Sequence, residues 1–130
     1  MVLSPYMKSK SPRILVVEDD RSTRLLLGEA LEEENHLSYL AEDGEAALAL
    51  LKEHLKEIGL VLLDLSTPKL SPDELLRELR AMPGGESVPV VVVSGWSDVE
   101  ERVLGLGVQG VIRKPIELDD LFEVAKKYAA

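Results

Sequence analysis

The chain contains no cysteine. Disulfide staples, thiolate metal sites and cysteine nucleophiles are therefore excluded. Cations are also in short supply. Lys plus Arg is 15 against 24 for Asp plus Glu, a net charge of −9. Nonspecific binding to nucleic acid or to an anionic lipid surface needs the opposite balance, so neither partner is expected. Long hydrophobic runs are missing. The longest, Leu60–Leu63 and Val88–Val93, fall far short of a membrane span. No apolar stretch follows Lys8, Lys10 and Arg13, so the N-terminus does not read as a secretory signal. Residues 1–12 are expected to be a flexible tail ahead of a single domain over 13–130, with the cytoplasm as the default location. No phosphate-binding loop or dinucleotide glycine pattern occurs, which argues against nucleotide binding by those routes.

What is present is a foldable chain. Its 130 residues are 45% apolar and 30% charged, the balance of one domain with a real core. Short apolar runs alternate with amphipathic stretches. Strands are predicted at Ile14–Val17, Leu37–Ala41, Leu60–Leu63, Val88–Val93 and Val111–Ile112. Helices are predicted over Arg21–Glu33 and Glu45–Leu55, then from Ser71, from Ser97 and around Leu118. Ser71 with Glu74, and Ser97 with Glu100, have the spacing of capping boxes. Gly105 and Gly107 weaken and stop the fourth helix, while Met82-Pro83-Gly84-Gly85 ends the third. The order βαβαβαβαβα implies an α/β fold, a five-stranded parallel sheet with helices on both faces.

In open parallel sheets ligands bind beyond the carboxyl ends of the strands. Here the first strand ends in Glu18-Asp19-Asp20, the third in Asp64, the fourth in Ser94 and the fifth in Arg113-Lys114-Pro115. Crowded carboxylates repel, and a divalent cation with oxygen ligands relieves that repulsion. With few ligands and room for water, Mg²⁺ fits better than Ca²⁺. A metal beside Asp64, with Lys114 and Ser94 nearby, suits the three oxygens of a phosphoryl group, and aspartate is a known nucleophile for such groups. Asp20 is more simply a cap for the first helix, and Asp43, Asp73, Asp119 and Asp120 read as caps or first-turn acids. His36 and His54 lie far from the cluster in sequence and read as surface residues.

Four pieces together carry a family resemblance: Ile14–Asp20, Leu62-Leu63-Asp64-Leu65 with Pro68, Val93–Gly95, and Lys114-Pro115. The sequence resembles the receiver domain of two-component response regulators from Arg13 to about Tyr128. The resemblance implies a flavodoxin-like strand order of 2-1-3-4-5. It implies Asp64 as phospho-acceptor, Glu18 and Asp19 as the acidic pair for Mg²⁺, and Ser66 as donor of a carbonyl to the metal. It implies Ser94 as switch hydroxyl and Lys114 as phosphate-binding lysine. The implied donor is a histidine kinase or phosphotransfer protein. The implied output is a downstream partner or homodimer on the face made by the fourth helix, fifth strand and fifth helix. Such a domain promotes only its own phosphorylation and dephosphorylation and is not an enzyme in the turnover sense.

Two positions depart from the family pattern. Val111 stands where an aromatic is common, and Pro72 where a glycine is common. Valine has no ring to rotate, which leaves a phosphorylation-independent docking module as the alternative. A phosphatase on a related scaffold would need a second acid soon after the nucleophile, and Leu65-Ser66-Thr67-Pro68 offers none. Trp96, two residues past Ser94, reads either as an anchor for a partner or as a lid over the phosphoryl group. With no effector domain after the last helix, the expectation is a stand-alone receiver or a piece of a hybrid kinase or longer regulator.

Overall fold

The computed structural model describes residues 12–129, so the tail expected over 1–12 lies, but for Pro12, outside the described residues. Five strands form one parallel sheet: β1 (Arg13–Val17), β2 (Ser38–Ala41), β3 (Ile58–Asp64), β4 (Val90–Ser94) and β5 (Gly110–Arg113). Their order is β2-β1-β3-β4-β5, as the resemblance implied. Five helices connect and cover them: α1 (Arg21–Glu33), α2 (Gly44–His54), α3 (Pro72–Ala81), α4 (Val99–Arg102) and α5 (Leu118–Ala129).

The strand side chains alternate between two cores, because successive residues point to opposite faces. Leu15 and Val17 of β1, Val61 and Leu63 of β3, and Val90 and Val92 of β4 pack against Leu51 of α2 and Leu75 and Leu79 of α3. Ile14, Val16, Leu60, Leu62, Val91 and Val93 face the other way, onto Leu27 and Leu31 of α1 and Leu121 and Ala125 of α5. Burial on both faces is why these strands read as unbroken apolar runs. Parallel pairing then brings Val17 level with Leu63, Asp64 with Val93, and Ser94 with Arg113. All the strand-end polar residues therefore emerge along one edge.

Three helices start as their sequences predict. Asp20 accepts from the Thr23 amide at 2.9 Å, Asp43 from Ala46 at 2.7 Å and Ser71 from Glu74 at 3.2 Å. Asp73, Asp119 and Asp120 lie in first turns, where the helix dipole favours acids. At Gly44 a Cβ would lie 2.5 Å from Leu70 Cβ and 2.8 Å from its carbonyl. Only glycine lets the start of α2 come this close to the β3–α3 loop, and the Gly44 amide bonds the Pro68 carbonyl at 3.1 Å.

The fourth helix departs from expectation. It is a single turn of four residues, and its cap residue is Asp98, whose side chain makes no capping bond. The two ends of the expected box are engaged elsewhere. The Ser97 carbonyl and the Glu100 carboxylate both bind Arg113, and Asp98 pairs with Arg102 at 3.0 Å. Gly105 (φ 85°) and Gly107 (φ 74°) then turn the chain into β5. Leu37, expected in the second strand, precedes it and is 41% exposed.

Candidate functional site

Glu18, Asp64 and Ser94 are almost fully buried at the strand ends, at 2%, 2% and 3% exposure. Glu18 and Asp19 directly follow β1. Each of Glu18, Asp19 and Asp64 offers a carboxylate oxygen, and these three oxygens lie within 4.8 Å of one another. Lys114 follows β5, and its Nζ reaches Asp64 Oδ2 at 2.7 Å and Glu18 Oε1 at 3.8 Å. The Lys114–Pro115 peptide is cis. The other oxygen of Asp64 accepts from Ser66 twice, from the amide at 2.9 Å and from the hydroxyl at 2.8 Å. Ser94 Oγ accepts from the Trp96 amide at 2.9 Å. The fold thus brings Glu18, Asp19, Asp64, Ser66, Ser94 and Lys114 to one sheet edge.

The charges respond to this crowding. Burial, followed by the neighbouring Asp64, pushes the Glu18 carboxyl up from 4.5 to about 7, against the opposing Asp20 amide bond and Lys114. Burial acts upward on Asp64 as well, but the Lys114 ammonium and the two Ser66 donors outweigh it and hold that carboxyl below its usual range. Lys114 is pushed up: partial burial disfavours its charge, but the bond to Asp64 and the field of Glu18 prevail. A carboxyl that holds a proton near neutrality because it is buried beside a second carboxylate suits a hard divalent cation. The donor set fits Mg²⁺, being all oxygen, anionic and open on the exposed side at Asp19. An apolar cleft of about 340 Å³ adjoins the cluster, lined by Leu26, Leu27, Pro115, Ile116 and Leu118 as well as the acids.

Three further residues support the site, and the sequence alone assigned none of them that role. Arg24 on α1 reaches back to the carbonyls of Glu18 and Asp19 at 2.9 and 3.2 Å. Thr67 is 7% exposed, and its hydroxyl donates to the Asp64 carbonyl at 2.6 Å. Arg113 donates to the carbonyls of Trp96 and Ser97 and binds Glu100. Only Arg24 left a legible cue, its place four residues after the Asp20 cap, on the turn nearest the loop.

Trp96 is 39% exposed and stacks on Arg102, with the guanidinium 4.4 Å from the ring centre. It lines a cavity of about 270 Å³ with Leu65, Pro72 and Val103. Asp20 serves as the helix cap already described. His54 is half-buried, not a simple surface residue: it stacks on Tyr39 and bonds Glu57 at 2.7 Å near the opposite ends of the strands. His36 is likewise half-buried, in the turn after α1, where its amide donates to the Leu31 carbonyl at 2.9 Å. Among the described residues no helix is long and apolar enough to cross a membrane.

A parallel sheet of this order, with an acidic trio and a lysine at its carboxyl edge, places these groups where open α/β sheets bind their ligands. Comparison with known proteins agrees. The family described as the response regulator receiver domain matches residues 14–126, and the chain belongs to it. Response regulator MprA of a Mycobacterium species is 37% identical over 111 residues, which is 84% of this chain and 46% of that protein. The chain therefore spans about half the length of these relatives. An uncharacterised 14.6 kDa protein of Leptolyngbya boryana is 32% identical over 88% of both chains. A receiver protein from Pseudomonas putida superposes with a TM-score of 0.79 at 34% identity, covering 90% of this chain and 97% of its own. Chemotaxis protein CheY4 of Vibrio cholerae shares the fold, with a TM-score of 0.81 at 18% identity over 91% of this chain and 98% of its own. Response regulator receivers work in two-component systems, with a kinase as partner, and typically bind Mg²⁺.

Proposed function

We propose that Asp64 accepts a phosphoryl group from the phosphohistidine of a histidine kinase or phosphotransfer protein. The observation that carries this is the Lys114–Asp64 contact of 2.7 Å inside a trio of converging carboxylates. An Asp64 carboxylate oxygen forms the new bond to phosphorus while the phosphorus–nitrogen bond of the donor breaks, leaving imidazole. Asp64 suits the role of nucleophile because its neighbours keep it ionised. Glu18, Asp19, Asp64 and the Ser66 carbonyl would hold Mg²⁺, which supplies countercharge for the transferring oxygens. Lys114 neutralises an equatorial oxygen, and the Ser94 hydroxyl donates to another. The apolar cleft beside the cluster offers the donor protein a dry surface to dock on.

The reading extends to residues 13–130 as one receiver unit in the cytoplasm. It promotes its own phosphorylation and hydrolysis, and the α4-β5-α5 face carries the output to a partner or a second copy. Incubation with Mg²⁺ and acetyl phosphate tests the acceptor. The parent gains the mass of one phosphoryl group, and Asp64→Asn gains none. No gain in the parent would favour a phosphorylation-independent docking module, the reading that Val111 supports.

A further inference from the structure

Two consecutive residues at the end of β5 hold different things. Lys114 grips Asp64, while Arg113 grips the loop that joins β4 to α4. The Arg113 guanidinium donates to the Trp96 carbonyl at 3.2 Å and to the Ser97 carbonyl at 3.5 Å, and it pairs with the Glu100 carboxylate of α4. Arg113 lies level with Ser94 in the sheet. Ser94 in turn holds the other side of the same loop, through the Trp96 amide.

We propose that Arg113 is a positioning residue that transmits the state of the acceptor site to α4 through the loop Gly95–Asp98. This rests on Asp64 being the acceptor. The links are contiguous. Ser94 Oγ accepts from Trp96, so its own proton is available to a phosphoryl oxygen on Asp64. A shift of Ser94 toward that oxygen draws the Trp96 amide with it. The carbonyls of Trp96 and Ser97 then move relative to Arg113, and the guanidinium must re-seat on Glu100. The last link is of the kind that switches readily: the Arg113 and Glu100 side chains are 51% and 59% exposed, so their pairing makes and breaks at little cost. The helix it addresses is one turn long and followed by two left-handed glycines; Val99 and Val103 anchor its inner side in the core, while its outer side is held by exposed polar pairs such as Arg113–Glu100 and Asp98–Arg102. The cavity below Trp96, about 270 Å³, gives the loop room to move. Val111 has no ring to do this work.

Trp96 is the only tryptophan, so its emission reports the loop directly. The experiment compares amide spectra and Trp96 emission of the parent, Arg113→Ala and Glu100→Ala, each with Mg²⁺ alone and with added beryllofluoride. In the parent, beryllofluoride shifts Ser94 and Trp96 and then the amides of Glu100–Leu104. In both variants Ser94 still responds, and in the Glu100 variant the affinity stays within about twofold, because an exposed pair contributes little to the site. The shifts over Glu100–Leu104 are lost. If Arg113→Ala fails to fold, Glu100→Ala decides alone, since it removes only the acceptor on α4. A full Glu100–Leu104 response in the folded variants overturns the transmission role and leaves the acceptor reading intact. No response in the parent overturns both.

Discussion

Lys114 and Asp64 touch across a strand that belongs to neither. Asp64 ends β3, Lys114 follows β5, and β4 lies between them. Two strand spacings are roughly 10 Å, so the lysine stem has to bridge the end of β4. The stem passes close to Gly95, where a Cβ would make an ordinary 3.8 Å contact with Lys114 Cβ. The ammonium reaches the acceptor from the side and leaves the exposed side, toward Asp19, free for an incoming group.

Removal of that ammonium separates its chemical role from its structural one. Lys114→Ala should slow phosphoryl acceptance from acetyl phosphate about a hundredfold, the usual cost of losing one donor to a developing negative charge. The readout is the rate of mass gain at fixed Mg²⁺. A rate equal to the parent's would exclude Lys114 from the reaction.

Glu18 ties stability to pH in a direction opposite to the common carboxylate case. Its carboxyl is pushed up from 4.5 to about 7 in the folded chain. Between those values the folded state holds more protons than the unfolded one, so stability falls as pH rises through this window. The depressed Asp64 acts with the opposite sign, but below its ordinary value of 3.8, outside the window. Urea midpoints in EDTA should therefore drop from pH near 5 to pH near 8. Saturating Mg²⁺, which binds only the folded site, should remove the drop, and Glu18→Gln should flatten it without metal. Equal midpoints at the two pH values in EDTA would contradict this assignment.

Trp96→Ala tests the lid reading of the indole. It should shorten the half-life of the acyl phosphate several-fold, followed as loss of the added mass after the phosphodonor is removed. A half-life unchanged from the parent would leave the ring with its packing role on Arg102 alone.

Gly44→Ala should destabilise the chain by about 1–3 kcal/mol, the range for forcing extra volume into a packed site. The clash falls on the Leu70 backbone, so relaxation must displace the β3–α3 loop, whose start carries Ser66 and Thr67. Thermal or urea unfolding gives the magnitude. A neutral result would show that this loop yields without cost.

The parts legible in the sequence were those set by neighbours in the chain. Unbroken runs such as Leu60–Leu63 announced buried strands, and Asp20, Asp43 and Ser71 announced helix starts. The positions of Glu18, Asp64, Ser94 and Lys114 at strand ends followed from topology. What stayed hidden depends on distant partners. The Ser97–Glu100 spacing has the form of a box, but Arg113, 13 residues beyond Glu100, takes its acid. His54 shows nothing of its stack on Tyr39, 15 residues earlier. Arg24 and Arg113 are ordinary cations until the fold aims them at backbone carbonyls.

Asp64 and Lys114 are 50 residues apart in the chain, and the strand that delivers the lysine is the last to be made. A nascent chain can complete β1, β3 and their carboxylates and still lack the ammonium. On the proposed chemistry such a chain is a poor recipient of phosphate. Competence at Asp64 then reports that the last strand of the sheet, β5, has taken its place.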